Sequence, residues 1–192
     1  MEGVEPQFEA DIYSMPAVFM LKAKIPDDLV DNLNDYLDEL RKDKKRESLA
    51  STLVGQIHQG EQLNIPFTED ERITPYARYL TNMGATYINH FSQATGVQYK
   101  KQKQVMVDEL WSVHSFEGDY NPIHDHGTKT IMGISTTTWT KVPQQILDLP
   151  TSGTSDYSLY NASGNCDGCL AFSYGRNSLT DSDRLFPPQS CV

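Results

Sequence analysis

Positive charge is scarce in this chain. Sixteen Lys and Arg face 26 Asp and Glu, for a formal net charge of -10. Nucleic acid and anionic membranes are bound by basic faces that displace counterions or meet headgroups, so neither is an expected partner. Two basic clusters, Arg41 to Arg46 and Lys100 to Lys103, are short and read as a solvated helix end and a strand edge. Cysteine is nearly absent as well. Three in 192 residues, an odd number, fit reduced thiols rather than a disulfide framework. No apolar run approaches the ~20 residues of a membrane-spanning helix. The N-terminal MEGVEPQFEADIY lacks the basic n-region and apolar h-region of a signal peptide. A cytoplasmic protein is therefore expected, and the sequon Asn161-Ala162-Ser163 carries no weight in that setting. Glycine-rich phosphate loops, a GxSxG elbow and an HExxH helix are all missing.

What is present suits a single domain over residues 1–192. Its 38% hydrophobic content is enough for one real core. Residues 17–25, AVFMLKAKI, read as an early strand. Pro26 then opens a helix at its first position. Asp27 and Asp28 complement the positive end of that helix, and Arg41 to Arg46 its negative end. Leu29, Val30, Leu33, Tyr36, Leu37 and Leu40 recur at helical spacing. Residues 48–74 show no clean period and leave room for one short strand. Thr74-Pro75 reads as a cap and first helical residue. Tyr76, Tyr79, Leu80, Met83, Tyr87, Ile88 and Phe91 form a second apolar stripe, which Gly96 stops.

After Gly96 the period shortens. VMVDELWSVHSF alternates as a long strand, with Glu109, Trp111, Val113 and Ser115 on one face and Leu110, Ser112, His114 and Phe116 on the other. Gly118-Asp119 marks a turn. Residues 130–142, TIMGISTTTWTKV, are rich in threonine and β-branched residues and predict another strand. Residues 148–165 read as a loop, with a short strand at Tyr157 to Tyr160. LAFSY, 170–174, predicts a strand after the hairpin signal Asp167-Gly168. Helices about 1–96 followed by strands about 97–192 predict an α+β domain, its helices packed on a mostly antiparallel sheet, sandwich or barrel.

The histidines are five in all, and two stand one residue apart in NPIHDHGT. On a strand, residues i and i+2 share a face with Cα atoms roughly 6.5 Å apart. His124 and His126 can then converge on one metal ion while Asp125 points away, with Asp125 as the alternative ligand. Imidazole suits iron, zinc, copper and nickel. Pro122 places the pair at a strand edge or mouth, where substrate can enter. The bland alternative is two surface histidines in a polar turn. Cys166-Asp167-Gly168-Cys169 has zinc half-site or redox spacing, but Asp-Gly is also an ideal two-residue hairpin turn, and no second CxxC is present. Asp181-Ser182-Asp183 reads as a solvated loop rather than a cation site. His58 and His90 read as packing or surface residues. His114 lies on the strand that leads into the pair.

The run LWSVHSFEGDYNPIHDHGTKTIMGISTTTWTKVP resembles the core of the iron(II)- and 2-oxoglutarate-dependent oxygenases. It is most similar to a branch of small members from marine bacteria and their phages. Those share a Trp-containing strand, a Gly-Asp-Tyr turn, a Pro-x-His-x-His segment, a Ser/Met-Gly-hydrophobic strand and a Val-Pro end. CDGCLAFSYG resembles their following Asp-Gly-x-Leu-x-Phe strand. The likeness covers about residues 105–192. It implies a double-stranded β-helix, the jelly-roll or cupin-like barrel, with flanking N-terminal helices. It also implies a mononuclear Fe(II), 2-oxoglutarate as cosubstrate, dioxygen, and hydroxylation of a small-molecule or peptide substrate. His124 would be the first iron ligand, with Trp111 and Tyr120 lining the cofactor pocket. Position 126, a carboxylate in the general pattern, is His126 here. That departure leaves open a histidine-only site, as in some iron cupins. The cupin glutamate is absent, since Lys129, Thr130 and Ile131 occupy its region. No histidine follows His126. The distal iron-binding histidine and the basic residue that holds 2-oxoglutarate are therefore expected to be missing, together with the C-terminal strands. Two further readings stand beside the oxygenase: a non-catalytic jelly-roll binding module, and a cupin-like metalloenzyme with a three-histidine site.

Overall fold

The structure is a computed structural model. It describes residues 10–15, 18–97, 105–122, 124, 133–148, 170–172 and 184–186. The chain divides into two compact units, Met1–Thr136 and Thr137–Val192.

In the first unit, β1 (Ala10–Met15) and β2 (Val18–Ala23) form an antiparallel hairpin, with Ala10 opposite Ala23 and Met15 opposite Val18. The β2 strand answers the expected strand at 17–25, whereas β1 has no counterpart in the sequence reading. Helix α1 (Asp27–Leu40) follows. Pro26 stands one position earlier than expected, as the N-cap with extended φ -52° and ψ 135°. Its carbonyl accepts from Leu29 and Val30, so the helix starts from the proline's acceptor rather than its fixed φ. The basic run does not serve the end of α1, whose last turn carries no basic residue. Arg41 and Arg46 instead turn to the Glu61 carboxylate.

Helix α2 (Thr74–Thr95) begins one residue before the expected start, with Ile73 as N-cap. The Thr74 hydroxyl donates back to the Asp70 carbonyl at 3.3 Å instead of capping forward. Gly96 ends the helix in the left-handed region at φ 71°, as a C-terminal glycine does at little steric cost. The two helical stripes meet in the core. Leu33, Tyr36 and Leu37 of α1 cluster with Tyr76 and Leu80 of α2 and with Ile65 and Ile73. Tyr87 donates to the Phe19 carbonyl at 3.0 Å, and the Phe19 and Phe91 rings meet edge-on at 5.2 Å. These contacts seat α2 on β2.

Strands β3 (Glu61–Asn64) and β4 (Trp111–His114) pair antiparallel, with Glu61 opposite His114 and Asn64 opposite Trp111. Residues 47–49 run along the other edge of β3: Leu49 N–H donates to the Gln62 carbonyl, and Asn64 N–H to that of Glu47. The expected long strand over 105–116 is therefore four residues of ladder. Upstream, Val107 and Leu110 pack against the core, and Val105 reaches the α2 backbone at Gly84. The alternation there serves packing on a helix, not strand pairing. Residues 133–142, part of another expected strand, form no ladder; residues 130–132 lie outside the described residues. Order also departs from the expectation of helices first and strands after, because β1, β2 and β3 all precede or intervene between the long helices.

The second unit holds a short helix, α3 (Gln144–Leu147), and an antiparallel pair, β5 (Leu170–Phe172) with β6 (Arg184–Phe186). The β5 strand begins the expected LAFSY segment. Residues 149–169, which hold nearly all of the loop expected at 148–165 with its Tyr157 to Tyr160 strand, the Asp167-Gly168 turn and the Cys166/Cys169 pair, lie outside the described residues, as does Asp181-Ser182-Asp183. Among the described residues the strands make three separate two-stranded antiparallel ladders and no jelly-roll sheet. No described helix is long and apolar enough to cross a membrane.

Candidate functional site

The candidate site follows β4 and is built on the β3–β4 ladder. Directly opposed residues of a ladder share a face. Gln62, Asn64, Trp111 and Val113 therefore point one way, and Glu61, Leu63, Ser112 and His114 the other. The second grouping matches the expected faces of β4. On it, the Ser112 Oγ lies 3.0 Å from His114 Nε2. Glu61 is gripped by Arg46 and, at 3.5 Å, by Arg41. Desolvation pushes the Glu61 carboxyl upward, but the two guanidinium groups outweigh it and hold it below its ordinary value. The Arg41 guanidinium also lies over the Phe116 ring at 5.7 Å, within cation–π range. This ties the end of α1 to the chain leaving β4.

The turn after β4 is where the sequence reading falls short. Gly118 adopts φ 83°, which a glycine takes without steric penalty. Beside it, the Asp119 carboxylate accepts four backbone N–H groups. Oδ1 takes those of His58 (2.6 Å) and Gln59 (3.1 Å). Oδ2 takes those of Gly60 and Phe116, both at 2.9 Å. The Gln59 side chain adds a bond to the Glu117 carbonyl at 3.1 Å. One carboxylate thus joins two segments about 60 residues apart in sequence. Desolvation raises the Asp119 pKa, and the four N–H donors together overcome it and hold the carboxyl below its ordinary value. Gly60 is required by this packing. A Cβ there would fall on the His114 carbonyl oxygen and stand 2.8 Å from Asp119 Oδ2.

The same strap continues past Asp119. Gln56 and Tyr120 exchange backbone hydrogen bonds of 2.7 and 3.1 Å. The next pair along, Gly55 and Asn121, is in side-chain contact: Asn121 Oδ1 occupies the space a Cβ at residue 55 would need. Gln62 Nε2 lies 2.6 Å from that same point. Gln62 is 2% exposed, and its Oε1 has no hydrogen-bond partner among the described residues. Asp119, Gly55, Gly60 and Gln62 went unnoticed in the sequence as site residues. Gly118-Asp119 signals a turn locally, but nothing local tells that the carboxylate will be spent on a segment near residue 58.

Of the expected site residues, Trp111 is half-buried on β4, Tyr120 is 57% exposed, and His124 is exposed. Pro122 leads into His124, whose Nδ1 lies 2.7 Å from the Pro122 carbonyl. A carbonyl only accepts, so Nδ1 carries the proton in that contact. A backbone carbonyl on the second ring nitrogen is the usual support of a metal-ligating histidine, so His124 fits one position of a metal site. Its expected co-ligand His126, and the alternative Asp125, lie outside the described residues. Among the described residues no three His, Cys, Asp or Glu side chains are grouped closely enough to hold a metal ion. His58 and His90 are exposed; the His58 backbone N–H, not its ring, is what the strap uses. The chain matches no family model, no curated protein and no solved structure.

Proposed function

We propose that this chain is a non-heme iron(II)- and 2-oxoglutarate-dependent oxygenase, with His124 and His126 as two iron ligands. One observation carries the reading: the exposed imidazole of His124 has its Nδ1 2.7 Å from the Pro122 carbonyl, the backbone support usual for a metal-ligating histidine. The HxH spacing supplies the second nitrogen on the same face if residues 124–126 are extended. When bound, the iron with 2-oxoglutarate and dioxygen supplies the hydroxylation of a substrate C–H bond. The chain's own part is to fix the ligand tautomer and direction. The Asp119 strap holds the preceding turn, and Tyr120 is tied into it by two bonds to Gln56; Trp111, on β4, is the second aromatic residue of the proposed cofactor pocket. A jelly-roll core and a small-molecule or peptide substrate belong to the same proposal.

The test is an anaerobic titration with iron(II) and 2-oxoglutarate, followed by visible absorption. A weak charge-transfer band that appears with the native chain and is lost in His124→Ala supports the reading. Metal bound without the band would favour a cupin-like site of three histidines, a reading that position 126 invites because it carries imidazole where the oxygenase pattern has a carboxylate. No band and no metal, with His124→Ala indistinguishable from the native chain, would favour a non-catalytic binding module.

A further inference from the structure

We propose that the open cleft along the first half of α2 binds a small anion with an apolar body, a carboxylate on an aliphatic chain, and that Arg78 holds the carboxylate. The cleft shares no residue with the histidine segment, so this site stands or falls apart from the iron reading.

The cleft measures about 400 Å³, within the range of small-molecule sites. One side is a face of α2. Thr74, Ala77, Arg78 and Thr81 line it, and their i, i+3, i+4, i+7 spacing puts them on one face of a helix. Val105, Met106 and Phe67 supply apolar lining. Val105 can approach the helix because residue 84 carries no side chain: a Cβ there would stand 2.8 Å from Val105 Cγ1. Phe67 packs against the core cluster, as does Val107 beside Met106, so this lining is anchored. Met106 itself is 72% exposed. A long apolar side chain is thus left in water on the lining of a concave site, and its unbranched thioether adapts to the shape of what it covers.

Charge selects the occupant. Arg41, Arg46 and Arg72 are each engaged by carboxylates of their own chain. Arg78 is exposed and has no ion pair or hydrogen bond among the described residues. Thr74 and Thr81 give their hydroxyl protons to the carbonyls of Asp70 and Ala77, at 3.3 and 3.0 Å. On this helix face the donor left for an anion is therefore the Arg78 guanidinium, whose planar fork matches a carboxylate. One carboxylate balances one cation. A phosphate ester carries about -1.5 to -2 at neutral pH and would add surplus negative charge to a chain whose formal net charge is already -10.

Octanoate is the probe. It is titrated into the native chain with labelled methyl groups, and the methyl signals of Ala77, Met106 and Thr81 are followed by NMR. The expected result is saturable shifts at these three methyls, with octan-1-ol and acetate each binding about tenfold more weakly, since one lacks the charge and the other the apolar body. Arg78→Gln alters an exposed side chain and leaves the fold intact. It should lower octanoate affinity about tenfold and leave octan-1-ol binding unchanged. Met106→Ala should weaken octanoate and octan-1-ol alike. The absence of a saturable shift with octanoate overturns the proposal. So does undiminished octanoate affinity in Arg78→Gln, or octan-1-ol bound as tightly as octanoate. Tighter binding of octyl phosphate than of octanoate overturns the choice of a carboxylate.

Discussion

Gly60→Ala is the most severe single change that the strap offers. Residue 60 passes so close to β4 that its missing Cβ would coincide with the His114 carbonyl oxygen. That neighbour is backbone, held in the β3–β4 ladder through the Glu61–His114 pair, and cannot swing aside as a side chain tip would. The 58–60 segment must therefore retreat by more than an ångström. Its retreat takes the Gly60 N–H away from Asp119 Oδ2, now 2.9 Å distant, and strains the neighbouring bonds to His58 and Gln59. Overpacking of a well-fitted site costs about 1–3 kcal/mol and sometimes more. A clash with fixed backbone belongs at the upper end, about 3 kcal/mol. For a chain of this length each kcal/mol moves Tm by about 2–4 °C, so a fall of about 6–12 °C is expected. Urea unfolding followed by tryptophan fluorescence is a suitable assay, since Trp111 lies on β4 itself. Gly118→Ala is the internal comparison. Among the described residues nothing lies within 4 Å of its would-be Cβ, and φ 83° penalises it at about 1–2 kcal/mol. If Gly60→Ala proves no more costly than Gly118→Ala, the close approach of the strap to β4 is wrong.

Other consequences can be measured with the same unfolding experiment. Ile73 is fully buried and belongs to the helix–helix core cluster, so Ile73→Ala should cost about 2–5 kcal/mol; a cost below about 1 kcal/mol would displace it from that core. The Asp119 carboxyl titrates below its ordinary value of about 4 in the fold. The folded state then binds that proton more weakly than the unfolded chain, so this contribution is complete above about pH 4 and fades as pH falls through the lower folded value. Asp119→Asn should flatten the acid limb of the stability profile, and parallel native and variant profiles would refute the role of the four N–H donors. Gln62→Met removes the buried Oε1 that has no partner among the described residues while keeping the side chain's length. It should be neutral or stabilising, since an unsatisfied buried acceptor costs about 1–3 kcal/mol; a loss of more than about 1 kcal/mol would show that the amide has a partner.

How much the sequence disclosed depends on whether the signal was local. The two long helices were legible because Leu33, Tyr36 and Leu37, and then Tyr76, Leu80 and Ile88, repeat with the helical period and all end up buried. Gly96 declared its own left-handed stop. The faces of β4 were likewise set by the period of two. Strand length was not legible, because apolar residues such as Val105, Val107 and Leu110 read the same in sequence whether they pack on the core or line a strand. Cap positions slipped by one residue at Pro26 and Thr74 because their acceptors, the carbonyls of Pro26 and Asp70, belong to backbone geometry. The strap was invisible for a different reason. Asp119 and Gly60 each carry a plausible local meaning, turn and loop, and only the fold brings them to 2.9 Å. For the site, spacing in the sequence raised the expectation of a ligand pair at His124 and His126, and the structure adds that the His124 Nδ1 lies 2.7 Å from the Pro122 carbonyl.

The oxygenase proposal is tested most directly by counting iron. Anaerobic equilibrium dialysis of the native chain against iron(II), followed by metal analysis, should find close to one equivalent bound, and far less in His124→Ala and His126→Ala alike. Equal iron in all three chains, or none in the native one, would contradict a metal site at NPIHDHGT.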